Sequence, residues 1–103
     1  MKTSLRSQKV ASNVQQELLP LIQQFLSPKQ IGFLAITKIE VSVDLKIADV
    51  YVTSLRAPEG FEKKLNNYAK KISYELSHKL ILRRPIELRF KEDILAGIPS
   101  SNF

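Results

Sequence analysis

Cysteine and tryptophan are absent from this 103-residue chain, histidine and methionine occur once each, and there are only three glycines. Without cysteine, neither a disulfide framework nor thiolate metal ligation is possible. That composition suits a reducing compartment, so the expected location is the cytoplasm, or an organelle if the source is eukaryotic. Gly32, Gly60 and Gly97 lie far apart and form no phosphate-cradling loop. No stretch approaches the roughly 20 apolar residues of a membrane span, and no uninterrupted apolar segment follows the basic start. Neither an export signal nor a membrane anchor is expected. The lone His78, on the wet face of a basic helix, reads as a surface residue rather than a catalytic group. Carboxylates are scattered singly except for Glu92 and Asp93, which read as a solvated loop rather than a metal site. The chain offers no nucleophile, acid–base pair or ligand set held by suitable neighbours, so neither catalysis nor a cofactor is expected.

A hydrophobic content of 44% with 25% charged residues is ordinary for a globular protein, and the length fits one domain over 1–103 with a short, loosely held tail over about 94–103. The net charge is +6, and its placement is the informative part. Between Glu62 and Lys91 there are nine Lys or Arg against three acids, whereas the rest of the chain carries seven of each sign. A charge gathered on one stretch of a folded domain makes a coherent local field, and polyanions are what such fields attract. RNA is the first partner to test.

From Ser7 to Leu26, apolar residues at Val10, Val14, Leu18, Leu21, Ile22 and Phe25 follow the helical repeat. Pro20 sits inside this pattern and predicts a bend or an early end, because it deletes a backbone bond and crowds the preceding turn. Ser27-Pro28-Lys29-Gln30-Ile31-Gly32 stops the helix. Phe33–Val43 is rich in β-branched residues and alternates from Ile39 onward, which predicts a strand. Ser42-Val43-Asp44-Leu45 supplies turn chemistry before a second strand over Lys46–Leu55, so the pair is expected to be an antiparallel hairpin. After Ala57-Pro58-Glu59-Gly60, residues Phe61, Leu65, Ala69, Ile72, Leu76 and Leu80 outline the apolar side of a second long helix. Lys63, Lys64, Lys70, Lys71, Tyr74 and His78 project together on its opposite side. Ile86-Glu87-Leu88-Arg89-Phe90 alternates strictly as a third strand beside the hairpin. The expected architecture is α+β, with helices covering one face of a small sheet.

Three segments, taken together, resemble the ribosome-binding factor A family. Ser27-Pro28-Lys29-Gln30-Ile31-Gly32 is similar to that family's Asp-Pro-Arg-x-x turn. The run from Ile36 to Thr53 is similar to its Val-Thr-x-Val-x-Val-Ser-x-Asp-Leu-x-x-Ala-x-Val-Tyr-Val-Ser hairpin and is the most specific match. Leu80-Ile81-Leu82-Arg83-Arg84-Pro85-Ile86-Glu87-Leu88-Arg89-Phe90, followed by Asp93, resembles its Leu-x-Leu-Arg-x-x-Pro-Glu-Leu-x-Phe strand, with Pro85 one place earlier than the family proline. The resemblance implies a KH-type domain of the second topology, α-β-β-α-α-β, with helices packed on one face of a three-stranded sheet. It also implies a non-catalytic factor that binds the immature small ribosomal subunit against its 16S-type rRNA and assists late maturation, notably in the cold. A monomer that engages no membrane is expected. A standard KH domain clamps single strands with a Gly-x-x-Gly loop. The family has an Ala-x-Gly kink instead, and here the aligned residues are Tyr68-Ala69-Lys70, so the glycine is missing and the helix is either straighter or bent by other means.

The residues expected to contact RNA are Lys63, Lys64, Lys70, Lys71, Lys79, Arg83, Arg84 and Arg89, with Arg6 and Lys9 extending the patch from the first helix. A solvated, solubilising face competes with that reading for the lysines, and a frayed basic terminus competes for Arg6 and Lys9. Arg83 and Arg84 offer planar forks to phosphate oxygens. Tyr74 offers a ring to stack on a base, although half-buried tyrosine packing is the commoner explanation, and Tyr51 and Phe90 are expected in the core. Phosphate contact with folded rRNA is favoured over sequence-specific readout of single strands. Two rivals stand beside this: a protein-interaction module, and a free-standing KH-like binder of single-stranded RNA.

Overall fold

The computed structural model describes residues 4 to 94; of the tail expected over 94–103, all but Ile94 lies outside the described residues. The elements run α1 (Leu5–Phe25), α2 (Pro28–Ile31), β1 (Phe33–Val41), β2 (Ile47–Leu55), α3 (Phe61–Asn67), α4 (Ala69–Lys79) and β3 (Glu87–Glu92). This is the expected order with one addition, the single turn α2. There Pro28 occupies the first helical position, where its missing N–H costs nothing, and the Ser27 N–H donates to Gln30 Oε1 at 2.9 Å.

Helix α1 begins at Ser4, whose hydroxyl accepts from the Ser7 N–H at 3.1 Å while the Ser4 N–H donates to Ser7 Oγ at 2.7 Å. Two of the helix's orphan donors are satisfied reciprocally in this way. The helix runs five residues past Pro20, so the early end does not occur. Pro20 is exposed, as is Gln16 four residues before it, so water can reach the carbonyl that loses its partner.

The sheet order is β1-β2-β3, with β1 and β2 antiparallel and β2 and β3 parallel. Register slips at Thr37, which has no partner between Ile36↔Val52 and Lys38↔Tyr51. This bulge is why alternation is clean only from Ile39 onward, since one extra residue flips the faces of everything beyond it. Thr37 Oγ1 donates to Asp93 Oδ2 at 2.7 Å, which ties the bulge to the end of β3. The inner face of the sheet carries Val41, Ala48, Val50, Val52, Leu88 and Phe90, and α1 covers it with Val14, Leu18, Leu21 and Ile22. Phe61 and Leu65 from α3 and Ile72 and Leu76 from α4 complete one continuous cluster, each large side chain contributing about 1.5–3 kcal/mol by leaving water.

Gly32 closes the turn into β1 at φ 71, and a Cβ there would meet the Leu55 carbonyl oxygen at 2.6 Å and Ala57 Cα at 2.7 Å. Only glycine fits both the angle and the space. At the opposite edge of the sheet, α3 seals β3. Asn66 donates from Nδ2 to the Phe90 carbonyl at 3.0 Å and accepts at Oδ1 from the Phe90 N–H at 2.9 Å, and Glu62 Oε2 accepts from the Glu92 N–H at 3.3 Å. Ser73 Oγ donates to the Ile86 carbonyl. Four outward-facing groups of this edge, on Ile86, Phe90 and Glu92, therefore find partners within the chain, which opposes pairing with another strand there.

The expected long second helix is interrupted at Tyr68, whose φ of −100° and ψ of 1° lie outside the helical region. The Tyr68 ring lies 6.1 Å from that of Phe25 on α1, and Lys71 Nζ lies 5.5 Å from its centroid. The bend is thus made where the glycine is missing, and an aromatic side chain wedged against α1 holds it.

Tyr51 departs from the core placement expected of it. It stands on the outer face of the sheet, half-buried, with Lys38 Nζ 5.7 Å and Lys91 Nζ 5.8 Å from its ring centroid. The physical reason is register: Tyr51 alternates with the inward Val50 and Val52. Phe90 is in the core, 2% exposed.

Candidate nucleic-acid interface

Three elements distant in sequence meet at one end of the molecule: the first turn of α1, the β1–β2 turn and the connection from α4 to β3. Between them lies an open groove of about 840 Å³, whose polar walls are Arg6, Lys46, Arg83 and Arg84 with the single acid Asp44. Among the described residues none of these four cations forms a salt bridge. The N-terminus of α1 adds to the same field, because its first turn carries Arg6 and no acid although the helix dipole favours negative charge there.

The β1–β2 turn is rigid for a local reason. Ser42 Oγ donates to Asp44 Oδ1 at 2.7 Å and accepts from the Ile47 N–H at 3.0 Å, and Asp44 Oδ1 accepts from the Lys46 N–H at 3.2 Å. The Ser42 hydroxyl, then the Lys46 N–H, hold the Asp44 carboxyl below the usual carboxylate range.

The other wall is built by the end of α4. Leu80 caps the helix, the Ile81 N–H donates to the His78 carbonyl at 3.3 Å, and the Leu82 N–H donates to the Ser77 carbonyl at 2.9 Å. These two bonds make a complete Schellman cap, in which the residue after the cap takes a left-handed conformation and is usually glycine. Here it is Ile81, at φ 53 and 90% exposed. A β-branched residue in that region is strained.

On the far side of the Ile81–Pro85 ridge is a second depression of about 430 Å³, lined by Tyr74, Ser77 and His78 with Ile81, Leu82 and Arg83. Tyr74 also borders a shallow open depression with Phe25, Lys70, Lys71 and Glu75. Because neighbouring depressions share residues, they form one track. It runs from Lys70 and Lys71 past Tyr74 and His78, over the ridge, to Arg83, Arg84, Arg6 and Lys46. Six cations line it against two carboxylates, Asp44 and Glu75.

Five of the ten expected residues therefore lie on this track: Arg6, Lys70, Lys71, Arg83 and Arg84. Lys79 does not, since its Nζ lies 3.8 Å from Glu17 Oε2 on α1. Arg89 points from the outer face of the sheet and pairs with Glu87 at 2.7 Å, the bond that holds its guanidinium further toward the cation. Lys9, Lys63 and Lys64 are exposed but border none of these depressions. The break at Tyr68 separates Lys63 and Lys64, on α3, from Lys70 and Lys71, on α4. Lys91, inside the basic stretch, is paired with the nearly buried Asp49 at 3.5 Å, and Lys38 with Glu40 at 3.7 Å, so the outer sheet face is a balanced mosaic. Two track residues escape sequence reasoning. Lys46 belongs to the charge-balanced part of the chain, and only folding brings it beside Arg83 and Arg84. His78 is on the surface as expected, but paired with Tyr74. Tyr74 itself is 57% exposed rather than half-buried. Among the described residues no group of three or more His, Asp or Glu could hold a metal ion, and no helix is long and apolar enough to cross a membrane.

Known proteins resemble the chain in sequence and in fold. The sequence profile of ribosome-binding factor A matches residues 6–96. The ribosome-binding factor A of Macrococcus caseolyticus is 37% identical over 93 residues, covering 87% of this chain and 82% of the relative. Among solved structures, a Thermotoga maritima protein provisionally named ribosome-binding factor A superposes with a TM-score of 0.74 at 30% identity, covering 90% of this chain and 92% of that one. The crystal structure of ribosome-binding factor A from Thermus thermophilus gives 0.74 at 22% identity, over 84% and 94% of the two chains. A homology model of the Thermus factor, fitted into the cryo-EM map of a 30S–RbfA complex, gives 0.71 at 23% identity, over 81% and 90%. The fold is the expected KH-like α+β arrangement.

Proposed function

Because the chain belongs to the ribosome-binding factor A family, we propose that it is a non-catalytic assembly factor that binds the immature small ribosomal subunit through rRNA, using the cationic track along α4 and the groove beyond it. The observation that carries this reading is the convergence of Arg6, Lys46, Arg83 and Arg84 on one groove without salt-bridge partners among the described residues. Cations left unpaired and side by side are arranged to neutralise phosphates spaced along a backbone, and arginine does so with two parallel donors. Support for the subunit as target comes from the relatives' name and from the 30S complex of the Thermus factor. Binding energy does the work: the factor holds an immature conformation of the rRNA and leaves when its site changes shape.

The test is co-sedimentation with small subunits. Arg83→Glu with Arg84→Glu is expected to keep the circular dichroism of the wild type and to lose association. Retention of the folded double variant on the subunit would defeat the reading. A protein contact is the second reading, favoured by Phe33 and Leu55, which face each other across the β1–β2 ladder at 59% and 67% exposure. A partner protein captured after thorough nuclease digestion, and lost with Phe33→Ser, would favour it.

A further inference from the structure

We infer that the depression between the last turns of α4 and the Ile81–Pro85 ridge receives one unstacked nucleobase, so that the RNA held by this protein is single-stranded where it crosses the end of α4. The inference rests on the RNA-binding reading above and adds which form of RNA the site selects.

Tyr74 and His78, one turn apart on α4, present exposed rings with centroids 4.4 Å apart, and both line the depression. The two rings are tilted by 54° to each other, so a base stacks on the open face of one of them, as every base has a π-face. The His78 ring is held in place by a 2.8 Å contact from Nδ1 to the Tyr74 carbonyl oxygen. A carbonyl only accepts, so Nδ1 carries the hydrogen, and in the neutral imidazole Nε2 is an acceptor available to an exocyclic amine of a base. Ile81 supplies the facing apolar wall. In the protein alone its side chain is 90% exposed and its backbone sits in the left-handed region, and strain of this kind tends to accumulate at ligand contacts.

The charges around the depression commit it to a nucleotide rather than to an apolar peptide. Arg83 borders both this depression and the larger groove, so a phosphate leaving the base on that side meets Arg83 and Arg84. On the other side, the depression reached through Tyr74 offers Lys70 and Lys71. A strand can thus cross with its backbone neutralised on both flanks and one base turned inward. A duplex, with bases stacked inside, engages the arginines and leaves the depression empty. The site occupies the C-terminal half of α4, and its nearest member, Tyr74, is roughly 9 Å along the helix from the Tyr68 break at about 1.5 Å per residue. It is therefore separate from the position a Gly-x-x-Gly loop would occupy.

The experiment compares two ligands of equal length: an unstructured oligoribonucleotide carrying one 2-aminopurine, and a blunt RNA duplex. The full chain is expected to bind the single strand more tightly than the duplex and to change the 2-aminopurine fluorescence on binding. Tyr74→Leu, and independently Ile81→Gly, are expected to weaken single-strand binding about tenfold, with duplex affinity unchanged; Tyr74→Leu also abolishes the fluorescence change. Arg83→Ala with Arg84→Ala is expected to weaken both ligands. If the wild type shows no preference for the single strand, or if Tyr74→Leu and Ile81→Gly weaken both ligands equally or neither, the base pocket is wrong. If the arginine variant binds both as the wild type does, the RNA-binding reading itself fails.

Discussion

Replacing Ile81 with glycine removes a side chain that is 90% exposed and relieves a backbone held at φ 53. A left-handed conformation costs a residue with a Cβ roughly 1–2 kcal/mol. Against that, glycine has more freedom to lose from the unfolded chain, about 0.4–1 kcal/mol. The tenth of the side chain out of water is worth only about 0.2 kcal/mol, taking a fully buried isoleucine at the usual 1.5–3 kcal/mol. The balance is a stabilisation of about 0.6 kcal/mol, which for a domain of this size raises the melting temperature by roughly 2–5 °C. Thermal unfolding followed by circular dichroism measures it. Ile81→Ala keeps a Cβ and is expected to give a smaller rise, so the order glycine, alanine, isoleucine is itself part of the expectation. A lower melting temperature for Ile81→Gly would refute the reasoning, because it would mean that the isoleucine packs in a way the exposed geometry does not allow. A variant that is more stable yet binds single strands less well would show that the strained side chain is kept for its contact.

Gly32→Ala is expected to cost at least about 2 kcal/mol, since a Cβ at φ 71 would stand 2.6 Å from a backbone oxygen; denaturant unfolding reads this, and a near-neutral change would contradict the packing described. Asn66→Ala leaves the Phe90 N–H and carbonyl without their shared partner. It is expected to cost about 1–3 kcal/mol and to promote association through the opened β3 edge, seen in sedimentation velocity, whereas a stable monomeric variant would argue against edge sealing. Asp44 has its pKa depressed in the folded state by Ser42 and the Lys46 N–H. Its contribution to the β1–β2 turn is therefore complete at neutral pH and is lost only as pH falls through that lowered pKa. Carboxyl chemical shifts recorded during an acid titration check this, and Ser42→Ala is expected to move the Asp44 midpoint upward.

The periodicity of the chain is enough to place both hairpin strands, α1 and β3, because each buries one face and its apolar residues repeat with the period of the element. Side chains that act across elements are less visible. Pro20 reads as a helix breaker, yet α1 continues because the orphaned carbonyl region faces water. Tyr68 looks like one more turn of a long helix, and only its packing on Phe25 turns it into a break. Tyr51 is aromatic and on a central strand, which suggests the core, but its neighbours Val50 and Val52 both face inward and alternation turns it outward. The charge count points to the last third of the chain but cannot separate Lys79, Arg89 and Lys91, which meet Glu17, Glu87 and Asp49, from Arg83 and Arg84, which form no salt bridge among the described residues. Tyr74 and His78 share a helix face that periodicity already shows, whereas Lys46 joins Arg83 and Arg84 only when three distant segments are brought together.

The central claim is that rRNA is gripped by the cations bordering the end of α4 rather than by basic residues in general. The most direct measurement is the salt dependence of binding to purified small subunits for three proteins: the wild type, Arg83→Ala with Arg84→Ala, and Lys63→Ala with Lys64→Ala. The account predicts that the slope of log K against log salt becomes shallower by about 0.7–0.9 for each arginine removed, while the lysine pair on α3 leaves it unchanged. Equal slopes for all three proteins, or a larger change from the lysine pair, would contradict it.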